Sequence, residues 1–180
     1  MPYGVVLLPQ RRDHDRLVAL AAAIAGPAPI ISMLGAQAPA HVSVVHFDGD
    51  TGQAAQVVDW LARRSRQTMP VQITGLLYAV VEPGDYYVPE GGVYFGLEMV
   101  RRPDLNALHQ EALGRVRAAG AAPFGAVDAD FRPHLTLGIT GTRPDLPDLA
   151  DVPTGQLDVA LAIGELGPYG TFPDLAARLH

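Results

Sequence analysis

The spacing of apolar residues changes several times along this chain, and the changes mark out its elements. Tyr3 to Pro9 (YGVVLLP) is almost unbroken apolar sequence, as in a strand covered on both faces. Leu17, Leu20, Ala21 and Ile24 then fall at helical spacing, and Gly26-Pro27 stops a helix that opens near Asp13. Ala28 to Ala40 is broken by Pro and Gly and reads as a loop leading into a strand, HVSVV, that opens at His41. Val57, Val58, Trp60 and Leu61 lie on a second helix, from about Thr51 to Arg66. Val71 to Val81 reads as a strand with a bulge expected at Gly75. Val93 to Val100 is another strand. Asp104 to Ala119 is a helix with Leu105, Leu108, Ala112 and Val116 on its buried stripe. A strand opening at His134 (HLTLGI) and a last strand from Leu157 to Leu166 complete the set; the Asp/Pro/Leu-rich stretch Pro144 to Pro153 connects them over the surface.

The order strand, helix, strand occurs twice. Tyr3 lies 38 residues before His41, and Val93 lies 41 residues before His134. Two copies are too few for a solenoid and fit a duplicated, two-lobed domain with a pseudo-two-fold axis. Short strands with few helices and no Gly-rich phosphate loop predict an α+β fold with antiparallel or mixed sheets.

The second strand of each copy starts with the same kind of phrase, His41-Val42-Ser43-Val44 and His134-Leu135-Thr136-Leu137. Alternation along a strand puts the imidazole and the hydroxyl on one face and the apolar residues on the other. An imidazole beside a hydroxyl, presented twice, is equipment for acid–base chemistry on a phosphate. An ordinary imidazole pKa of about 6.5 makes both protonation states accessible near neutrality. Each hydroxyl can donate to a phosphoryl oxygen whose charge grows in the transition state.

Composition narrows the chemistry. The 180 residues, 48% hydrophobic, suffice for one compact domain with a real core. A net charge of −6 argues against an extended footprint on duplex DNA. The clusters Arg63-Arg64-Arg66, Arg101-Arg102 and Arg115-Arg117 read as solvated element ends. The absence of cysteine excludes disulfides, thiolate zinc sites and cysteine nucleophiles. No HExxH or paired Asp cluster points to a metal, and no cofactor is expected. Leu17 to Gly35 imitates a signal peptide, but Asp13, Asp15, Pro27 and Pro29 argue against it and against a membrane span. A cytoplasmic monomer without a membrane partner is the expectation.

Both phrases together, and PHLTL at 133–137 above all, resemble the signature of the two-histidine phosphoesterase superfamily, which holds the 2′-5′ RNA ligase-like proteins and RNA 2′,3′-cyclic phosphodiesterases. YGVVLLP and the closing ELGPYGTF are also similar to that family's first and last elements, so the resemblance spans nearly the whole chain. It implies one bilobed domain over 1–180, with two antiparallel sheets facing across a central cleft and helices outside. It implies His41 and His134 as catalytic residues, Ser43 and Thr136 as phosphate-binding residues, and metal-independent cleavage of cyclic phosphates or phosphodiesters. A small nucleotide or an RNA end is the implied substrate. Ser43 stands where Thr is usual, and Gly138 where a basic residue is frequent, which leaves the RNA substrate undefined. RNA ligation by the same groups run backwards, and a catalytically silent nucleotide-binding module, are the alternatives.

Other residues are read around that pair. Arg132 has the parity of His134 and is either a phosphate contact or a rim salt-bridge partner. Tyr86 and Tyr87, in the long Pro/Gly-rich loop Glu82 to Gly92, are either packing residues or a flap that stacks on a base. His46 falls on the opposite parity from His41 and Ser43 in a regular strand and reads as structural or peripheral. His14, His109 and His180 have no partner visible in the sequence.

Overall fold

The structure, a computed structural model, describes residues 1–64, 68–148 and 152–178. Its elements are β1 (Pro2–Pro9), α1 (Arg11–Ala25), β2 (Ile30–Met33), β3 (Val42–Asp48), α2 (Thr51–Arg64), β4 (Thr68–Val81), β5 (Gly92–Met99), α3 (Pro103–Ala118), β6 (Ala122–Phe124), β7 (His134–Thr140) and β8 (Gly155–Glu165). Short 3₁₀ turns follow at Asp128–Asp130, Pro168–Gly170 and Pro173–Arg178. The end of the predicted second helix, Arg66 included, part of the 144–153 connection and His180 lie outside the described residues.

All strands join one antiparallel sheet in the order β2-β7-β5-β4-β8-β1-β3-β6. The α+β, antiparallel, duplicated architecture is the one expected. The two expected sheets are halves of one: β4 pairs with β8 over Thr68–Ile73 and with β5 over Ile73–Val81. Its register shifts between Ile73 and Gly75, where the bulge is expected.

The strand order is a palindrome. In each half the motif strand lies between the first strand of its own repeat and a short edge strand taken from the other repeat. Thus β2, from the first repeat, pairs with β7, and β6, from the second, pairs with β3. Helices cross over likewise, α1 packing on β7 and α3 on β3. This exchange ties the halves together. It also brings β3 and β7 into contact, although four strands separate them along the sheet.

The sheet is buried on both sides around β1, which explains its unbroken apolar sequence. Val5 and Leu7 enter the main core with the helices, where Leu17, Trp60, Leu105 and Val116 also sit. Val6 and Leu8 face the other way and are covered by Phe172 and Leu175 of the chain's last turns. The first turn of α2 is fixed by reciprocal bonds, the Gln53 N–H to Asp50 Oδ1 at 2.8 Å and the Asp50 N–H to Gln53 Oε1 at 2.9 Å. α3 opens with Pro103 and Asp104 and ends with Arg115 and Arg117, the charge order a helix dipole favours.

Candidate functional site

Each motif strand carries one bulge, at the same place. Val6 pairs with Ser43 and Val5 with Val45, so Val44 is the extra residue of β3. Gly96 pairs with Thr136 and Phe95 with Gly138, so Leu137 is the extra residue of β7. An extra residue reverses the alternation beyond it. Up to the bulge the parity expected from the sequence holds. The histidine and hydroxyl of each repeat, His41 with Ser43 and His134 with Thr136, share one half-buried face, while Val42, Val44, Leu135 and Leu137 are buried. Beyond the bulge the parity turns over. His46, expected on the opposite face, stands on the same face as Ser43.

Both motifs open into one cavity of about 270 Å³. His41, Ser43, His46, Arg132, His134 and Thr136 line it. Its wall is otherwise largely apolar and aromatic, with Tyr87 and Val88 from the 82–91 loop, Phe124 from β6 and Tyr169 from the C-terminal turn. Its size falls just below the range usual for small-molecule sites, about 300–1,000 Å³.

The two motif histidines are held alike. His41 Nδ1 is 2.9 Å from the Pro39 carbonyl, and His134 Nδ1 is 2.8 Å from the Arg132 carbonyl. A carbonyl can only accept, so Nδ1 carries the hydrogen in both and Nε2 is the reactive nitrogen. Burial lowers the His41 pKa to about 4; hydrogen bonds to the Pro39 and Gly170 backbone oppose the shift, and the nearby His134 adds to it. Burial also lowers the His134 pKa, against its bond to Arg132 and aided by the Arg132 charge. Phe172 sets the His41 ring edge-on at 4.8 Å, and Tyr94 lies 5.7 Å from the His134 ring.

Two histidines without partners visible in the sequence brace these strands from behind. The His14 Nδ1 accepts the Ala40 N–H at 3.1 Å, next to His41. His109 is fully buried and stacks on Phe131 at 4.0 Å. Its Nδ1–H donates to the carbonyl of the bulged Val44 at 2.7 Å, and its Nε2 accepts the Asp128 N–H at 3.0 Å. Both are satisfied structural histidines.

The remaining candidates divide. Arg132 lines the cavity and also pairs with Glu98 at 2.9 Å. Tyr87 points inward and bonds to His46. Tyr86 is exposed and packs against Tyr87 and Phe124, outside the cavity lining. The Asp85 carboxylate fixes the loop beneath them by accepting the N–H groups of Tyr87 and Val88. Phe124, Phe172 and Tyr169 were not legible as site residues, since they arrive on elements remote in sequence. Tyr169 has a left-handed backbone, φ 58°, and its hydroxyl donates to Glu90 at 2.8 Å, joining the last turn to the 82–91 loop. Several arginines of the basic clusters support the fold. Arg101 donates to Asn106 and to the carbonyls of Asp128 and Ala129, while Arg64 and Arg117 pair with Glu111 and Asp128. Among the described residues no three His, Cys, Asp or Glu side chains gather as a metal site would need. Nor is any helix among them long and apolar enough to cross a membrane.

No family model matches this sequence, and no curated protein matches it. In three dimensions it is similar to E. coli LigT complexed with 3′-AMP, with a TM-score of 0.58 at 12% identity over 91% of this chain and 87% of that one. It is similar to the MHV ns2 PDE domain, with a TM-score of 0.56 at 12% identity over 91% and 98%. A third structure, described as a phosphoesterase, gives 0.50 at 13% identity over 90% and 86%. At such identities the likeness is one of fold, and it is the fold that the paired motifs imply.

Proposed function

We propose that this protein is a metal-independent phosphodiesterase that opens 2′,3′-cyclic phosphates of nucleotides or RNA ends by acid–base catalysis. The observation that carries the reading is the convergence of His41 and His134 on one cavity, each from the head of an equivalent strand, each with its Nδ1 held by a backbone carbonyl and a hydroxyl two residues on. The likeness in fold to a PDE domain and to a protein complexed with 3′-AMP supports it.

In this reading His134 Nε2 takes a proton from water as the water oxygen attacks phosphorus. His41 gives its Nε2 proton to the departing ribose oxygen. The Pro39 and Gly170 backbone acceptors beside His41 offset only part of the burial that lowers its pKa to about 4, so the ring gives up a proton readily once it carries one. Ser43 and Thr136 donate to the non-bridging oxygens. Arg132 exchanges Glu98 for the phosphate when one is bound.

Charge favours a diester. Apart from histidines, the lining residues that carry charge are Asp85, committed to its own loop, and Arg132, already paired. A site with so little free positive charge suits the single charge of a cyclic diester better than a dianionic phosphomonoester.

The test is turnover of 2′,3′-cyclic mononucleotides, with product identified, before and after exhaustive chelation. Hydrolysis to a monophosphate that survives chelation and is lost in His41→Ala and His134→Ala supports the reading. Activity that disappears on chelation and returns with zinc or manganese rejects it.

A further inference from the structure

The cavity holds a third imidazole that the mechanism above does not use. His46 Nδ1 lies 2.6 Å from the Tyr87 hydroxyl, and its Nε2 lies 2.9 Å from Ser43 Oγ. Aromatic rings pack around it. Tyr87, Phe124 and Phe172 surround it at ring-centroid distances of 5.5 to 5.9 Å. Across β1, a Cβ on Gly4 would collide with both Phe172 and His46, so a glycine is what lets the ring sit there.

The direction of these two hydrogen bonds follows from the protons available. Burial, with Tyr86 and Asp85 nearby, pushes the Tyr87 phenol above its ordinary pKa, so its proton stays on oxygen. Burial pushes His46 down to about 3, helped by the neighbouring His41 and His134, so the ring is neutral with a single N–H. Of the two hydroxyls that meet the ring, a phenol is the stronger donor and an aliphatic alcohol the stronger acceptor, and the contact to the half-buried Tyr87 is the shorter, 2.6 Å against 2.9 Å. The ring hydrogen is therefore on Nε2 and is donated to Ser43 Oγ. Ser43 accepts that hydrogen and turns its own toward the cavity.

The second repeat has no such arrangement. Counting across the two bulges, Ile139 holds the place of His46. An isoleucine side chain has no hydrogen bond to give, so the residue in that place does not orient Thr136. The duplicated site is unequal at this one position.

We propose that His46 and Tyr87 are positioning residues: the chain Tyr87 to His46 to Ser43 commits the Ser43 hydroxyl hydrogen to a phosphoryl oxygen, and makes the first repeat the half of the site that holds the developing charge. The proposal rests on the phosphodiesterase reading for its catalytic consequence but not for its hydrogen-bond geometry. A donor aimed at charge that grows on the way to the transition state acts on kcat more than on KM. Losing such a donor outright costs about 10²–10³ in rate, which is the expectation for Ser43→Ala. Losing only its orientation costs less, about tenfold in kcat, for Tyr87→Phe and His46→Phe. In a Ser43→Ala background neither substitution has anything further to remove. His46→Gln, whose amide oxygen can accept from Tyr87 while its NH₂ donates to Ser43, restores most of the loss.

The test joins kinetics with nitrogen-15 spectra of the histidine rings. In the free protein between pH 5 and 8, His46 should be a neutral ring with hydrogen on Nε2. Tyr87→Phe, which removes one atom and leaves the packing intact, should let the Nδ1–H tautomer appear. An Nδ1–H tautomer in the wild type overturns the proposal, as does a His46→Phe or Tyr87→Phe loss that multiplies that of Ser43→Ala. A wild-type protein with the Nε2–H tautomer that hydrolyses no cyclic nucleotide rejects the phosphodiesterase reading and still supports the hydrogen-bond chain.

Discussion

His41 and His134 make the same hydrogen bond from the same place in each repeat, Nδ1 to the carbonyl two residues upstream, at 2.9 Å to Pro39 and 2.8 Å to Arg132. The acceptor in each case is a backbone carbonyl, so the bond needs no second side chain. The rings start as chemical equals. What separates them is their surroundings: Gly170 and Phe172 beside His41, Arg132, Glu98 and Tyr94 beside His134.

Those surroundings move the pH optimum. Acid–base catalysis by the pair needs one ring neutral and one protonated, which gives a bell-shaped profile of kcat/KM. The ordinary imidazole value alone places both limbs near neutrality. Burial lowers both pKa values, that of His41 to about 4. The bell therefore peaks on the acid side of 6.5. The profile measured on a 2′,3′-cyclic nucleotide checks this, and a maximum above pH 7 would contradict it.

The assignment of acid and base is tested by the leaving group. Replacing either histidine by Ala should cost roughly two to four orders of magnitude in rate. A substrate whose leaving group needs no proton makes the acid dispensable. It should rescue His41→Ala and leave His134→Ala inactive. The reverse pattern would exchange the roles and keep the two-histidine mechanism.

Substrate size follows from the cavity and its charge. A space of about 270 Å³ with few free cations engages one nucleotide and its phosphate. The net charge of −6 offers little to the rest of a polyanion. A 2′,3′-cyclic mononucleotide and a short RNA with the same end should give kcat/KM values of the same order, with weak dependence on salt. Much faster turnover of long RNA, falling steeply as salt rises, would show a binding surface beyond the cavity.

The sequence was a good guide to this site up to the bulges and misled beyond them. Alternation places His41 with Ser43 and His134 with Thr136, because the backbone is regular there. The same rule put His46 on the wrong face, because Val44 is an extra residue in β3. The signal was the run Val44-Val45, two buried apolar residues in succession where alternation calls for one. The edge strand β2 was read as loop, and β6 was not picked out, for a different reason. They are four and three residues long, and β2 lies between proline-rich stretches. Such strands exist because the opposite repeat supplies a partner, and no local pattern encodes that. Phe124 is a site residue through that exchange, and Phe172 and Tyr169 through the return of the last turns to β1. The cavity's chemistry was thus local in sequence and its walls were not.

The histidines also set how the fold responds to acid. His14, His41, His46, His109 and His134 all have pKa values lowered by burial, those of His41 and His46 to about 4 and about 3. For each, the unfolded chain binds a proton near 6.5 and the folded one resists it. The unfolded state therefore takes up more protons below 6.5, and stability rises with pH through that range. The contribution is complete above about 6.5 and is lost as pH falls toward the folded values. Two of the rings show the cause directly. Protonation removes the lone pair with which His14 accepts the Ala40 N–H and that with which His109 accepts the Asp128 N–H. Those bonds hold the residue before His41 and the loop below the Val44 bulge, so the acid-sensitive groups lie directly behind the motif strands. Calorimetric Tm should be level from pH 8 to 7 and fall steadily from 6.5 to 4.5, before most carboxylates titrate. Each kcal/mol lost corresponds to about 2–4 °C for a chain of this size, well within measurement. His46→Phe should flatten the fall, since it removes one of the groups responsible. A Tm that stays level down to pH 4.5 would mean that these rings titrate in the folded protein as they do in the unfolded one.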